Sequence, residues 1–120
     1  MKSPSPQERE MLLLSGLQQL LSGALTEGKL LRKLRKEILA MNQDEYAALV
    51  GISRRTLSDI ENDTGSQSIT LINSIFKPFG LRLGLLPTSH FLLTQLLEAQ
   101  SATDLSHFGK IKVTGFNRKK

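Results

Sequence analysis

The sequence predicts an all-α protein, a compact helical bundle with a helix-turn-helix, plus one short C-terminal β-strand paired across a homodimer. Three observations predict it. Apolar residues recur at helical spacing through most of the chain. Thr26, Asn42, Ser53 and Ser68 each stand where a capping side chain opens a helix. The segment Leu81 to Leu86, between Gly80 and Pro87, opens with strand-like alternation and is too short for a useful helix.

In chain order, residues 1–6 read as a disordered start. From about Gln7 to Ser22, Met11, Leu13, Leu14, Leu17, Leu20 and Leu21 form an amphipathic stripe. That stripe can grip a partner helix, pack on the domain's own core or serve a dimer contact. Ser22-Gly23 breaks it, and Thr26 followed by Glu27 opens a second helix running to about Ala40. Leu30, Leu31, Leu34, Ile38 and Met41 line one face of that helix; Arg32, Lys33, Arg35 and Lys36 fall on its other side or flanks, ordinarily a solvated face. Asn42 with Glu45 three residues on forms a capping-box pattern, and Gly51 suits a turn needing positive φ. Ser53 caps a short helix from about Arg54 to Asn62. After the loop Asn62 to Ser66, Ser68 caps another helix, which Pro78 ends or kinks near Lys77. His90 to Gln100 reads as a last helix and Ser101 onward as a tail. The expected organisation is an extension at 1–25, a helix-turn-helix domain at 26–80, a dimerisation strand at 81–87 and a C-terminal extension at 88–120.

Sixteen Lys and Arg against eleven Asp and Glu give a net charge of +5. The excess is local: Lys110, Lys112, Arg118, Lys119 and Lys120 supply five cations with no acid between His107 and Lys120, so the rest of the chain is formally neutral. A tail of this kind is commonly a solvated terminus, and its Phe108 and Phe116 are candidate anchors for a partner. The absence of cysteine excludes disulfides and thiolate chemistry, and no apolar run reaches membrane-span length. A cytoplasmic location is expected, nucleoid-associated when DNA is bound, with no membrane partner.

The segment Gln43 to Asn62 carries the functional signal. Two short helices joined by a tight turn require a small residue at their crossing, here Ala47, and a glycine four positions later, here Gly51. Tyr46, Val50, Ile52, Leu57 and Ile60 fill the apolar positions that lock the angle. On the second helix Arg55, Ser58, Asp59 and Asn62 lie opposite Leu57 and Ile60, with Arg54 on the flank. A recognition helix reaches base edges with its N-terminal residues, here Ser53, Arg54, Arg55 and Thr56. An arginine fork there can bond guanine O6 and N7 together. Asp59, four residues after Arg55, can orient it, accept from a cytosine amine or stand in solvent.

Over Leu30 to Pro87 the sequence resembles the lambda-repressor/Cro-like (XRE) helix-turn-helix family, on the strength of Asn42 to Glu61. In that family the glutamine opening the first motif helix contacts the DNA backbone and sometimes a base; the resemblance implies this role for Gln43. Phe79 to Pro87 is similar to HipB-type antitoxins. That likeness implies a strand pairing across a homodimer, an inverted-repeat operator in double-stranded DNA, repression of the chain's own operon and binding of a HipA-like kinase toxin. Pro78 departs from the family pattern.

No enzyme is expected, nor any cofactor, metal site or catalytic residue. His90 and His107 are the two histidines, without a metal-binding pattern or a phosphate-binding glycine loop near them. The rival reading is a protein-interaction module that neutralises a toxin, with DNA binding secondary. A stand-alone XRE-type regulator is the third.

Overall fold

The structure, a computed structural model, describes residues 4–102. Helix α1 spans Pro6–Leu21, α2 Glu27–Glu37, α3 Gln43–Val50, α4 Arg54–Glu61, α5 Ile69–Phe76 and α6 His90–Ala102, with a 3-10 turn at Lys77–Phe79. Contacts divide the chain after Leu83, so that α1 to α5 belong to one unit and α6 to a second. Among the described residues no helix is long and apolar enough to cross a membrane.

Helices α2 to α5 start where their capping residues dictate. Thr26, Asn42, Ser53 and Ser68 each accept the backbone N–H three residues on, satisfying a donor that the first turn leaves orphaned. Asn42 and Glu45 complete a reciprocal capping box. A fifth cap corrects the expectation of a disordered start through residue 6. Ser5 accepts from the Glu8 N–H, the Glu8 carboxylate accepts from the Ser5 N–H, and Pro6 occupies the first helical position, where its missing donor costs nothing. Proline beside serine reads as irregular chain until the acid three residues on is counted.

One helix end differs in detail from the sequence pattern and another follows it. α2 stops at Glu37 rather than near Ala40, and Ala40 itself adopts φ 54°, letting Met41 donate its N–H back to the Arg35 carbonyl at 3.2 Å. α5 stops at Phe76, and the chain passes Pro78 in a 3-10 turn that Gly80 closes at φ 73°.

The core gathers Leu30, Leu31, Leu34 and Ile38 of α2, Tyr46 and Ala47 of α3, Leu57 and Ile60 of α4, and Ile75, Phe76 and Phe79. Each large aliphatic or aromatic side chain taken from water contributes about 1.5–3 kcal/mol, against about 1 kcal/mol for a cap, so packing dominates and caps set register. The Tyr46 and Phe79 rings stack with centroids 5.9 Å apart, and the Tyr46 hydroxyl donates to the Ile75 carbonyl. The stripe of α1 is divided. Leu13, Leu17 and Leu20 pack against the core, with buried Gly16 allowing α1 to approach Leu30; Met11, Leu14 and Leu21 are exposed.

No strand is found among the described residues of the single chain, where 81–87 follow an irregular path. A strand needs a neighbour to complete its ladder, and the described residues supply none. Its donors turn inward instead, Leu81 to the Phe76 carbonyl at 3.2 Å and Leu83 to Asn73 Oδ1 at 2.8 Å. In the second unit, α6 extends to Ala102 and exposes Phe91, Leu92, Leu96 and Leu97. The basic tail lies outside the described residues, and with it Phe108, Phe116 and His107.

Candidate nucleic-acid interface

The geometry of the α3–turn–α4 unit follows from Gly51. It takes a left-handed conformation at φ 78°, and its N–H and that of Ile52 both donate to the Ala47 carbonyl, at 2.9 and 3.0 Å. A Cβ at Gly51 would meet nothing within 4 Å, so the requirement is purely conformational. Ala47, Tyr46, Leu57 and Ile60 are buried, and Val50 and Ile52 pack against the core beside them. These residues hold α4 against α3 and leave one face of α4 outward.

Arg54 and Arg55 open α4 and are exposed; Thr56, Ser58 and Asp59 are half-buried, and Ser53 is exposed. The Ser53 hydroxyl accepts the Thr56 N–H at 3.0 Å and donates to the Thr56 hydroxyl at 2.9 Å, so both hydroxyls are engaged in the cap. Ser58 Oγ lies 3.4 Å from the Asn62 side-chain amide. No ion pair joins Asp59 to Arg55 among the described residues. Arg54 is instead 3.8 Å from Asp44 on the first turn of α3, both side chains well exposed. Sequence reasoning did not single out Asp44, because that contact crosses between helices.

Two cations in the first turn of α4 oppose its own macrodipole, whose positive end lies there. The first turn carries no acid. The arrangement costs helix stability and concentrates positive potential where backbone donors also point outward, as an anionic ligand requires.

A larger correction concerns Arg35. The sequence pattern assigns it to a solvated face, yet only 4% of it is exposed. Its Nε donates to Glu61 Oε2 at 2.7 Å, its Nη2 to Glu61 Oε1 at 2.9 Å and its Nη1 to the Met41 carbonyl at 2.8 Å. Glu61, at the C-terminal end of α4, is equally buried. Gln43 joins them, its Nε2 donating to Glu61 Oε1 at 3.0 Å. Two signals were present in the sequence. Arg35 is spaced from Leu31 and Ile38 as a core position is, and Glu61 sits at the C-terminal end of α4, where a lone carboxylate is unfavourable.

The Helix-turn-helix family model matches residues 31–86. This segment is similar to helix-turn-helix domains of the XRE type. The helix-turn-helix domain holds all seven expected contact residues together with Arg35 and Glu61, and it leaves α1 and α6 outside. Domains of this kind are DNA-binding modules of transcription regulators and are generally not enzymes. Comparison with curated proteins and with solved structures gave no match.

Proposed function

We propose that the chain is a sequence-specific DNA-binding transcriptional repressor acting as a homodimer on an inverted-repeat operator. The observation that carries the reading is the pair Arg54 and Arg55, exposed at the start of α4 against the helix dipole. Ser53, Thr56, Ser58, Asp59 and Gln43 complete the proposed contact set. The test is a duplex selected from a randomised pool by the chain, with binding measured across salt. Affinity falls steeply as bound phosphates release counterions, and the selected duplex outcompetes random DNA. Equal binding to selected and random duplexes overturns sequence specificity.

The dimer half of the proposal draws on Leu83, Leu85 and Leu86, all exposed, and on their backbone, which has no strand partner among the described residues. Pairing of 81–86 with its symmetry mate covers both. Sedimentation analysis tests it: wild type sediments as a dimer and Leu83→Pro as a monomer. Because Leu83 also donates to Asn73, Asn73→Ala is the control, expected to remain dimeric. The likeness of Phe79 to Pro87 to HipB-type antitoxins extends the proposal to an antitoxin that represses its own operon and binds a HipA-like kinase toxin. A neighbouring reading frame encoding such a kinase supports that role, and its absence favours a stand-alone regulator.

A further inference from the structure

We infer that Glu61, backed by Arg35, is a positioning residue for Gln43, holding the Gln43 amide in one orientation and thereby presetting the edge that α3 offers to DNA. The inference rests on the reading of Gln43 as a DNA contact and adds how that contact is prepared. Glu61 accepts three hydrogen bonds, two from the Arg35 guanidinium and one from Gln43, with both charged side chains almost wholly removed from water. The bidentate guanidinium favours the ionised carboxylate, and an ionised carboxylate only accepts. Gln43 must therefore turn its NH2 group, not its carbonyl, toward Glu61. A flipped amide would set carbonyl oxygen against the oxygen of a buried carboxylate. Orientation here follows from the chemistry of the partners, independent of how amide atoms are assigned.

What remains of Gln43 is one N–H and the carbonyl oxygen, side by side and fixed in direction. An unanchored glutamine on the first turn of a helix samples several rotamers and both amide faces, and loses that freedom on binding. Anchored through Glu61, Gln43 has lost it beforehand. The anchor also spans the motif, since Arg35 belongs to α2, Gln43 to α3 and Glu61 to the end of α4, so the orientation of Gln43 is tied to the seating of the recognition helix.

The test is a thermodynamic cycle on the selected duplex, with Arg35→Met/Glu61→Met as one arm, Gln43→Ala as the other and the triple variant closing it. Replacing both members of a buried ion pair by apolar residues of similar length commonly preserves the fold, and unfolding curves check that it does. Gln43→Ala is expected to weaken binding about tenfold, Arg35→Met/Glu61→Met by a similar factor, and the triple variant no more than either. Multiplicative losses, about a hundredfold in the triple variant, overturn the inference: the ion pair is then structural and Gln43 acts independently. A second readout needs neither DNA nor variants. In the free wild-type chain the Gln43 side-chain amide proton donated to Glu61 should exchange with solvent more slowly than that of an exposed glutamine, and exchange as fast as an exposed glutamine's overturns the inference by itself. Failure of the parent reading looks different. If Gln43→Ala binds like wild type while Arg54→Ala does not, the DNA-binding reading stands and this one falls; if the wild-type chain selects no duplex, both fall.

Discussion

The backbone N–H of Gly28, in the first turn of α2, donates to the Asp63 carboxylate at 2.9 Å, and the same carboxylate accepts from the Thr26 hydroxyl at 2.6 Å. Asp63, held at φ 58° just beyond α4, thus caps a helix that begins far earlier in the chain. The approach is close enough that a Cβ at Gly28 would run into the Ile60 and Glu61 carbonyls and the Asp63 side chain. Backbone cannot yield as a flexible side-chain tip does. Gly28→Ala should therefore destabilise the fold by about 1–3 kcal/mol, as overpacking does. Gly84→Ala, at a position with open space, is the control and should leave thermal unfolding unchanged.

Ala40 is a non-glycine residue at φ 54°, where an L side chain is strained by roughly 1–2 kcal/mol. Glycine removes that strain but raises the entropy of the unfolded chain. Ala40→Gly should stabilise by roughly 0.5–1 kcal/mol net, which denaturant unfolding at unchanged slope would register. A destabilised variant would show that the Ala40 methyl contributes packing beyond its strain.

Tyr46 combines a buried ring with a hydroxyl bonded to the Ile75 carbonyl. Burial, assisted by the Glu61 carboxylate, raises its phenol pKa well above the ordinary value near 10. Tyr46→Phe leaves the Ile75 carbonyl without this donor and should cost about 1–3 kcal/mol at neutral pH. The folded chain holds the phenolic proton more tightly than the unfolded one. The wild-type advantage over the Phe variant is therefore complete below about pH 10 and shrinks as pH rises beyond it. Paired unfolding curves at about pH 8 and above about pH 10 check the sign.

Arg54→Ala and Arg55→Ala should each weaken binding to the selected duplex by about 1–3 kcal/mol without destabilising the fold, since neither side chain is buried and each opposes the α4 dipole. Arg54 is 3.8 Å from Asp44 and Arg55 has no such neighbour among the described residues, so the two should differ in response to Asp44→Ala. Losing that acid frees Arg54 and should change the penalty of Arg54→Ala without touching that of Arg55→Ala. Fluorescence anisotropy on selected and random duplexes measures all of these. Wild-type affinity in both arginine variants would remove the outer face of α4 from the interface.

Much of the bundle is legible from neighbours in the chain. Caps act over three residues, the Gly51 turn over five, and apolar stripes over one or two helical turns, so Thr26, Asn42, Ser53, Ser68 and Gly51 could be placed without knowing what surrounds them. The exposed arginines of α4 belong to the same class, because Leu57 and Ile60 define its inner face by spacing alone.

Apart from the cap at Ser5 and the end of α2, what spacing could not reveal involves partners distant in sequence or outside the single chain. Arg35 and Glu61 are 26 residues apart, and helical spacing cannot say that a cation on the flank of α2 will meet an acid at the end of α4. Asp63 reads as a loop acid until folding carries it to Gly28, 35 residues away. Leu81 to Leu86 alternates as a strand does, yet alternation specifies only which faces side chains occupy; pairing requires another backbone, and within one chain Asn73 and Phe76 take the donors first. Short-range chemistry sets where each helix begins and which face turns inward, whereas the buried ion pair, the remote cap on α2 and the path of 81–87 exist only once the helices have met, because each depends on groups that the chain brings together by packing.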